Sequence, residues 1–169
     1  VTQPRRPYRS KRRRPAPPID HTGLAVWTDG SCQGNPGPGG FGWLEVRDGA
    51  PTGRTGSGSE PHTTNQRMEI AAVLDALRTV AERPITVTSD STYVVKCFTD
   101  GWWRGWIRND RWTNSQGKPV ANRDLWEPLI ALVNASPGPI RWQWVKGHAG
   151  DAHNEAADAL AVAAGRAQR

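Results

Sequence analysis

Trp27-Thr28-Asp29-Gly30-Ser31-Cys32 sets a carboxylate where a strand is about to end. Upstream, Leu24-Ala25-Val26-Trp27 is a short apolar run of the kind that forms a buried strand. Downstream, the Gly/Pro-rich stretch Gln33 to Gly40 reads as a tight turn. A charge beside a core must be paired or must hold a metal, because desolvating it alone is too costly. Taken alone, Asp29 is better read as the start of an Asp-Gly turn. Its meaning rests on whether other acids converge on it.

Phe41 to Val46 alternates weakly and is predicted as a second strand, with Asp48-Gly49 as a hairpin signal. Residues 53–60 are rich in Gly, Ser and Thr and predict a poor third strand, at the edge if it pairs at all. Thr64 is an N-cap candidate for a helix whose apolar stripe is Ile70, Val73, Leu74, Leu77 and Val80, ended by Pro84. Ile85 to Thr88 is a strand leading into Ser89-Asp90-Ser91, a second acid at a strand end, and a helix follows from Thr92. Asp124 to Val133 predicts a helix with Leu125, Leu129, Leu132 and Val133 on one face. Ile140 to Lys146 alternates as a strand, Gly147 to Gly150 is a loop, and a last helix begins near Asp151. Early antiparallel strands followed by strand–helix crossovers make an α/β protein with a mixed sheet, and they put a site at the C-terminal strand ends.

Charge is unevenly placed. Residues 1–18 hold seven basic side chains and no acid; the other 15 basic residues face 16 acids. The excess of +6 therefore belongs to a Pro-rich basic arm, expected to be disordered over residues 1–20, and the body is nearly neutral. Lys11-Arg12-Arg13-Arg14 suits phosphates, or is a solvated tail. At 169 residues the rest suits one domain, over residues 21–169. No apolar run reaches about eighteen residues, so no membrane helix is expected. The basic residues lead into Pro-rich sequence and not into an apolar signal core, and two cysteines make no disulfide framework; a cytoplasmic monomer is expected. Within residues 102–123, Trp102, Trp103, Trp106 and Trp112 interleave with Arg104, Arg108 and Arg111, a composition that suits sugars and phosphates but also a small subdomain packed on its own indoles.

Singly, Glu69 is a helix-dipole acid, Asp90 a cap, Asp158 a surface acid one turn after Asn154, and His148 a loop histidine. Brought together, several carboxylates stay ionised only around a cation. Oxygen ligation without clustered Cys or His suits Mg²⁺ or Mn²⁺. Two such ions about 4 Å apart serve in-line phosphodiester displacement.

From about residue 24 to 166 the chain resembles type 1 ribonuclease H, the cellular form. The resemblance is carried by Thr28-Asp29-Gly30-Ser31-Cys32 with Gly34 to Gly40, by Thr63-Thr64-Asn65 with Arg67-Met68-Glu69, and by Ser89-Asp90-Ser91 with Tyr93-Val94. It continues in Gly117-Lys118-Pro119-Val120, Asn122, Asp124-Leu125-Trp126, Trp142 with Trp144 to Gly150, and Asn154-Glu155, Asp158 and Leu160-Ala161. The joint occurrence of these motifs in order is what makes the likeness specific. It implies a ribonuclease H-like mixed five-stranded sheet with helices on both faces. It implies an endonuclease that cuts the RNA strand of an RNA–DNA hybrid duplex by two-metal-ion hydrolysis, leaving 5′-phosphate and 3′-hydroxyl ends. Asp29, Glu69, Asp90 and Asp158 match the metal-binding carboxylates, for two Mg²⁺ ions or Mn²⁺, and His148 matches the catalytic loop histidine. Asn35, Thr64 and Asn65 match strand-contacting positions. Trp102, Arg104 and Trp106 fall in the basic handle, about residues 102–121, that grips the DNA strand.

Reading the 2′-hydroxyl needs close backbone approach, which small residues such as Gly30, Gly34 and Cys32 permit. One departure from relatives is Thr92, where Gln is common after the Asp-Ser pair. The alternatives are a non-catalytic hybrid-binding module on the same fold, and a nuclease or integrase relative acting on DNA.

Overall fold

In the computed structural model, which describes residues 15–108 and 110–168, the first strand, β1 (Leu24–Cys32), runs on past the apolar stretch that announces it. The basic run Lys11 to Arg14 lies outside the described residues. Alternation along β1 decides the layering: Leu24 and Val26 enter one core, Ala25 and Trp27 the other. A strand buried on both faces must sit in the middle of a covered sheet. β2 (Gly37–Arg47) pairs antiparallel with β1, and β3 (Ala50–Thr63) pairs antiparallel with β2. β4 (Ile85–Ser89) and β5 (Ile140–Trp144) add in parallel on the other side, giving a five-stranded sheet of order β3-β2-β1-β4-β5.

Helices α1 (Asn65–Thr79), α2 (Thr92–Thr99), α3 (Trp102–Ile107) and α4 (Arg123–Asn134) share the larger core with Val26, Trp43, Ile85 and Val87. The last helix, α5 (Ala152–Arg166), covers the opposite face through Ala157, over Ala25, Trp27, Leu44 and Val46. The α/β class, the mixed sheet and helices on both faces are as expected. Thr64 caps α1, its hydroxyl accepting from Arg67 N–H at 3.2 Å, and all five residues of the expected stripe are buried. Asp48 and Gly49 make the hairpin turn with φ of 49° and 81°, the left-handed pair that a two-residue turn of this hand requires.

Three expectations are corrected. The turn after Cys32 is shorter than expected, because Gly39 and Gly40 pair with Cys32 and Ser31 as part of β2; ladder hydrogen bonds override the Gly/Pro turn signal. The weak third strand is instead 14 residues long. Its glycines are there for packing: a Cβ at Gly56 would lie 2.4 Å from Trp43 Nε1, so only a bare position lets that indole cross the strand. Finally, α4 buries Trp126, Leu129 and Ile130, while Leu125, Leu132 and Val133 are only partly buried. Trp126 sets this rotation, packing edge-on to Tyr93 and Trp106 (centroids 5.4 and 5.5 Å) with its indole N–H on Tyr93 Oη at 3.2 Å.

At the N-terminal side, Ile19 packs against the α5-side core, Asp20 N–H donates to Gln143 Oε1 at 2.8 Å, and Gln143 Nε2 donates to Asp20 O at 3.3 Å. The chain is thus held to β5 from Ile19 onward. Among the described residues, no helix is long and apolar enough to cross a membrane.

Candidate active site

β1 and β4 are parallel neighbours with Thr28 opposite Ser89, so Asp29, not at a strand end as expected but still paired with Gly42 within β1, lies beside Asp90, the residue just past β4. The third acid comes from α1. A Cβ on Gly30 would lie 2.4 Å from Glu69 N and 2.6 Å from Met68 C, so a glycine here lets α1 rest directly on the β1 backbone. The bare side of Gly30 therefore faces α1, and the close approach expected for nucleic acid is used first for bringing Glu69 to Asp29. One carboxylate oxygen from each of Asp29, Glu69 and Asp90 lies within 4.8 Å of the others.

Asp29 is 4 % exposed and Glu69 8 % exposed. Burial, then the charge of Asp90, pushes the Asp29 carboxyl up to about 7, against the opposing effects of a hydrogen bond shared with the Glu69 carboxyl and of the bond that Gly30 N–H donates to Oδ1 at 2.8 Å. Burial, then the charges of Asp29 and Asp90, holds Glu69 well above the usual carboxylate range. Glu69 Oε2 is buried with no hydrogen-bond partner among the described residues. An unpartnered buried oxygen beside two more carboxylates is the donor set of a hard divalent cation, which would favour the ionised form of Asp29 and Glu69.

Asp158 is half-buried on α5 and stands outside this trio, but its charge still raises Asp29. One turn earlier, Asn154 is 3 % exposed and its Nδ2 donates to Asp90 Oδ2 at 3.3 Å. Asp151 caps α5 by accepting from His153 and Asn154 N–H, which fixes that turn against the site. In the β5–α5 loop, a Cβ on Gly147 would lie 2.6 Å from Asp90 Oδ2, so the loop crosses the carboxylate at contact distance. His148, next in the chain, is exposed with φ of 54°.

The expected contact residues divide into two groups. Asn35 Oδ1 accepts from Asn65 N–H at 3.0 Å beside the Thr64 cap, so all three organise the start of α1. Cys32 turns its thiol inward, 3.4 Å from Gly37 O and 3.3 Å from Thr63 O. In the handle, Trp102 is 38 % exposed, and Arg104 is exposed with its guanidinium 5.1 Å from the Trp103 ring centroid. Trp106 is 8 % exposed and packs against Trp112 and Trp126, so it belongs mainly to the core. Trp102 and Trp106 nevertheless line one concavity of about 750 Å³ with Tyr93, Ser115 and Val120.

The sequence model described as RNase H matches residues 21–166. The chain belongs to the ribonuclease H family. This ribonuclease H is 46 % identical over 148 residues to the Ribonuclease H of Pelobacter propionicus, an alignment covering 86 % of each chain. It is 50 % identical over 140 residues to that of Alkalilimnicola ehrlichii, covering 82 % of this chain and 91 % of the relative. Among solved structures it is similar to LC9-RNase H1, a type 1 RNase H with the type 2 active-site motif, at 35 % identity and a TM-score of 0.69, covering 90 % and 76 % of the two chains. RNase H1 from Halobacterium salinarum is similar at 26 % identity and a TM-score of 0.60, covering 83 % and 96 %. The chain is a type 1 ribonuclease H and hence an enzyme, not the non-catalytic module.

Gly147, Asn154 and Trp144 reach Asp90 but were not among the expected site residues. Asn154 carried a usable signal: an amide one helical turn before Asp158 shares its face. Gly147 carried none, since its role depends on where the loop crosses Asp90.

Proposed function

We propose that this ribonuclease H cuts the RNA strand of RNA–DNA hybrids endonucleolytically, leaving 5′-phosphate and 3′-hydroxyl ends. Asp29, Glu69, Asp90 and Asp158 would hold two Mg²⁺ ions, with Mn²⁺ as a substitute. The observation that carries the reading is the unpartnered Glu69 Oε2, buried beside an Asp29 whose carboxyl is pushed up to about 7. When bound, the ions supply Lewis acidity at the phosphoryl oxygen and lower the pKa of an attacking water.

The chain's own residues orient and select. Gly30 keeps Glu69 against Asp29, and Asn154 keeps the Asp90 carboxylate aimed into the trio. His148, exposed beside Gly147, would assist proton transfer at the leaving oxygen or product release. The main chain from Gly30 to Cys32, with Asn35, Thr64 and Asn65, reads 2′-hydroxyls. Trp102 offers a flat apolar face to a deoxyribose, and Arg104 offers its charge to the DNA phosphates. Trp106 acts from beneath, shaping the concavity. Such contacts touch backbone and sugar, so cleavage is independent of base sequence.

A substrate panel tests this: labelled hybrid, duplex RNA, duplex DNA and single strands, each with Mg²⁺ and with Mn²⁺. The expected result is metal-dependent cleavage of the RNA strand in the hybrid alone, lost in Asp29→Asn. Full activity of that variant, or equal cutting of duplex DNA, overturns the reading.

A further inference from the structure

The β4–β5 ladder stops one residue short of Asp90. Ser89 pairs with Trp144, and Val145 N–H donates to Ser89 O at 3.0 Å. The chain then turns into α2, with Ser91 as its cap. Asp90 O lies just past the ladder and is met by a side chain: the indole N–H of Trp144 donates to it at 2.9 Å. This bond ties Asp90 to β5 one residue beyond the last ladder pair. The Trp144 ring is otherwise little used. It is 38 % exposed over a shallow hollow of about 300 Å³ shared with Thr92, Val95 and Lys96. A large indole left half in water, with its single polar atom on the backbone of a site acid, calls for an explanation other than core packing.

We infer that Trp144 is a positioning residue, whose indole N–H locks the Asp90 main chain to β5 so that the carboxylate faces Asp29 and Glu69. Asn154 holds the same residue by its side chain, through Oδ2 at 3.3 Å. Asp90 is thereby fixed at both ends, its carbonyl from β5 and its carboxylate from α5. Gly147 closes a third side. Carboxylate ligands held in this way bind their ion more tightly than free ones, because less ordering remains to be done on binding.

The inference rests on the metal-binding reading of the trio, and the test separates the two. Trp144→Phe in the full chain removes the N–H and keeps an aromatic ring. In the metal-free protein, amide exchange at Asp90 and Ser91 is expected to quicken relative to wild type. In calorimetric titration with Mn²⁺ alone, the dissociation constant is expected to rise about fivefold, the worth of one modest hydrogen bond. In turnover, the Mg²⁺ concentration for half-maximal rate should rise by the same factor while KM for hybrid stays unchanged. Lys96→Ala, which lines the same hollow without touching Asp90, should leave Mn²⁺ affinity at the wild-type value. Wild-type exchange at Asp90 and Ser91 overturns the inference. So does a raised KM with unchanged Mn²⁺ affinity, which would make the exposed ring a substrate contact. Quickened exchange in a protein whose wild type binds no Mn²⁺ would uphold the positioning role and overturn the metal reading instead.

Discussion

Asp29→Asn should stabilise the metal-free protein, and only above acid pH. The Asp29 carboxyl lies at about 7 in the folded chain against its usual 3.8, chiefly through burial and then through Asp90. Each pKa unit is worth about 1.4 kcal/mol, so ionising Asp29 in the fold costs about 4 kcal/mol at most. The sign follows from proton binding. A carboxyl raised by folding favours the folded state while protonated, so its contribution is full below 3.8 and is lost as the pH climbs to about 7. Asn cannot ionise, and its Oδ1 still accepts from Gly30 N–H as Asp29 Oδ1 does. The variant's advantage should therefore open between these values and stay level above them. Urea unfolding in chelator at about pH 4 and about pH 8 measures it. For a domain of this size a gain of about 4 kcal/mol corresponds to roughly 8–16 °C in Tm. Mn²⁺ should then stabilise wild type at neutral pH and leave Asp29→Asn nearly unmoved. A variant less stable than wild type at about pH 8, or an advantage that grows toward acid, refutes the reasoning.

Asp90→Asn should lower kcat on labelled hybrid by roughly a hundredfold or more, with the melting temperature retained. Gly30→Ala should cost about 2–3 kcal/mol in urea unfolding and weaken Mn²⁺ binding as well, since the added Cβ meets Glu69 N at 2.4 Å and must push α1 away from β1. Mn²⁺ affinity should rise with pH through about 7, because the metal must displace the Asp29 proton below that point and the proton that burial holds on Glu69 as well; calorimetry in buffers of different ionisation enthalpy reads the released protons directly. Deleting residues 1–18, which carry seven basic side chains, should lower hybrid affinity and flatten its salt dependence without abolishing turnover, as fluorescence anisotropy across a salt series would show.

The sheet was legible where burial follows a simple period. Leu24 to Trp27 alternate between two cores, and Ile70 to Val80 keep helical spacing on one buried face. Legibility failed where a large side chain of one element dictates the form of another. Gly56 looks like a strand breaker until Trp43 is known to lie across it. The apolar stripe of α4 points elsewhere until Trp126 is known to meet Tyr93 and Trp106. Neither partner is near in sequence, so local propensity had no access to them.

The site shows the same division more sharply. Asp29, Glu69 and Asp90, which the fold brings together, could be named from sequence only through the resemblance to type 1 ribonuclease H, since each has an ordinary reading singly. Their inequality could not. Asp29 and Glu69 are buried, Asp90 and Asp158 are half-exposed, and the difference arises from Gly30 admitting α1 onto β1. That contact buries Glu69 where no protein donor among the described residues satisfies its second oxygen. A fold selected for stability alone would place an apolar residue there, since replacing an unpaired buried charge by a neutral group is favourable. Retaining the acid makes sense only if something outside the chain completes it. The structural cost at Glu69 and the raised carboxyl of Asp29 are thus two readings of one fact, the affinity of this corner of the sheet for a cation.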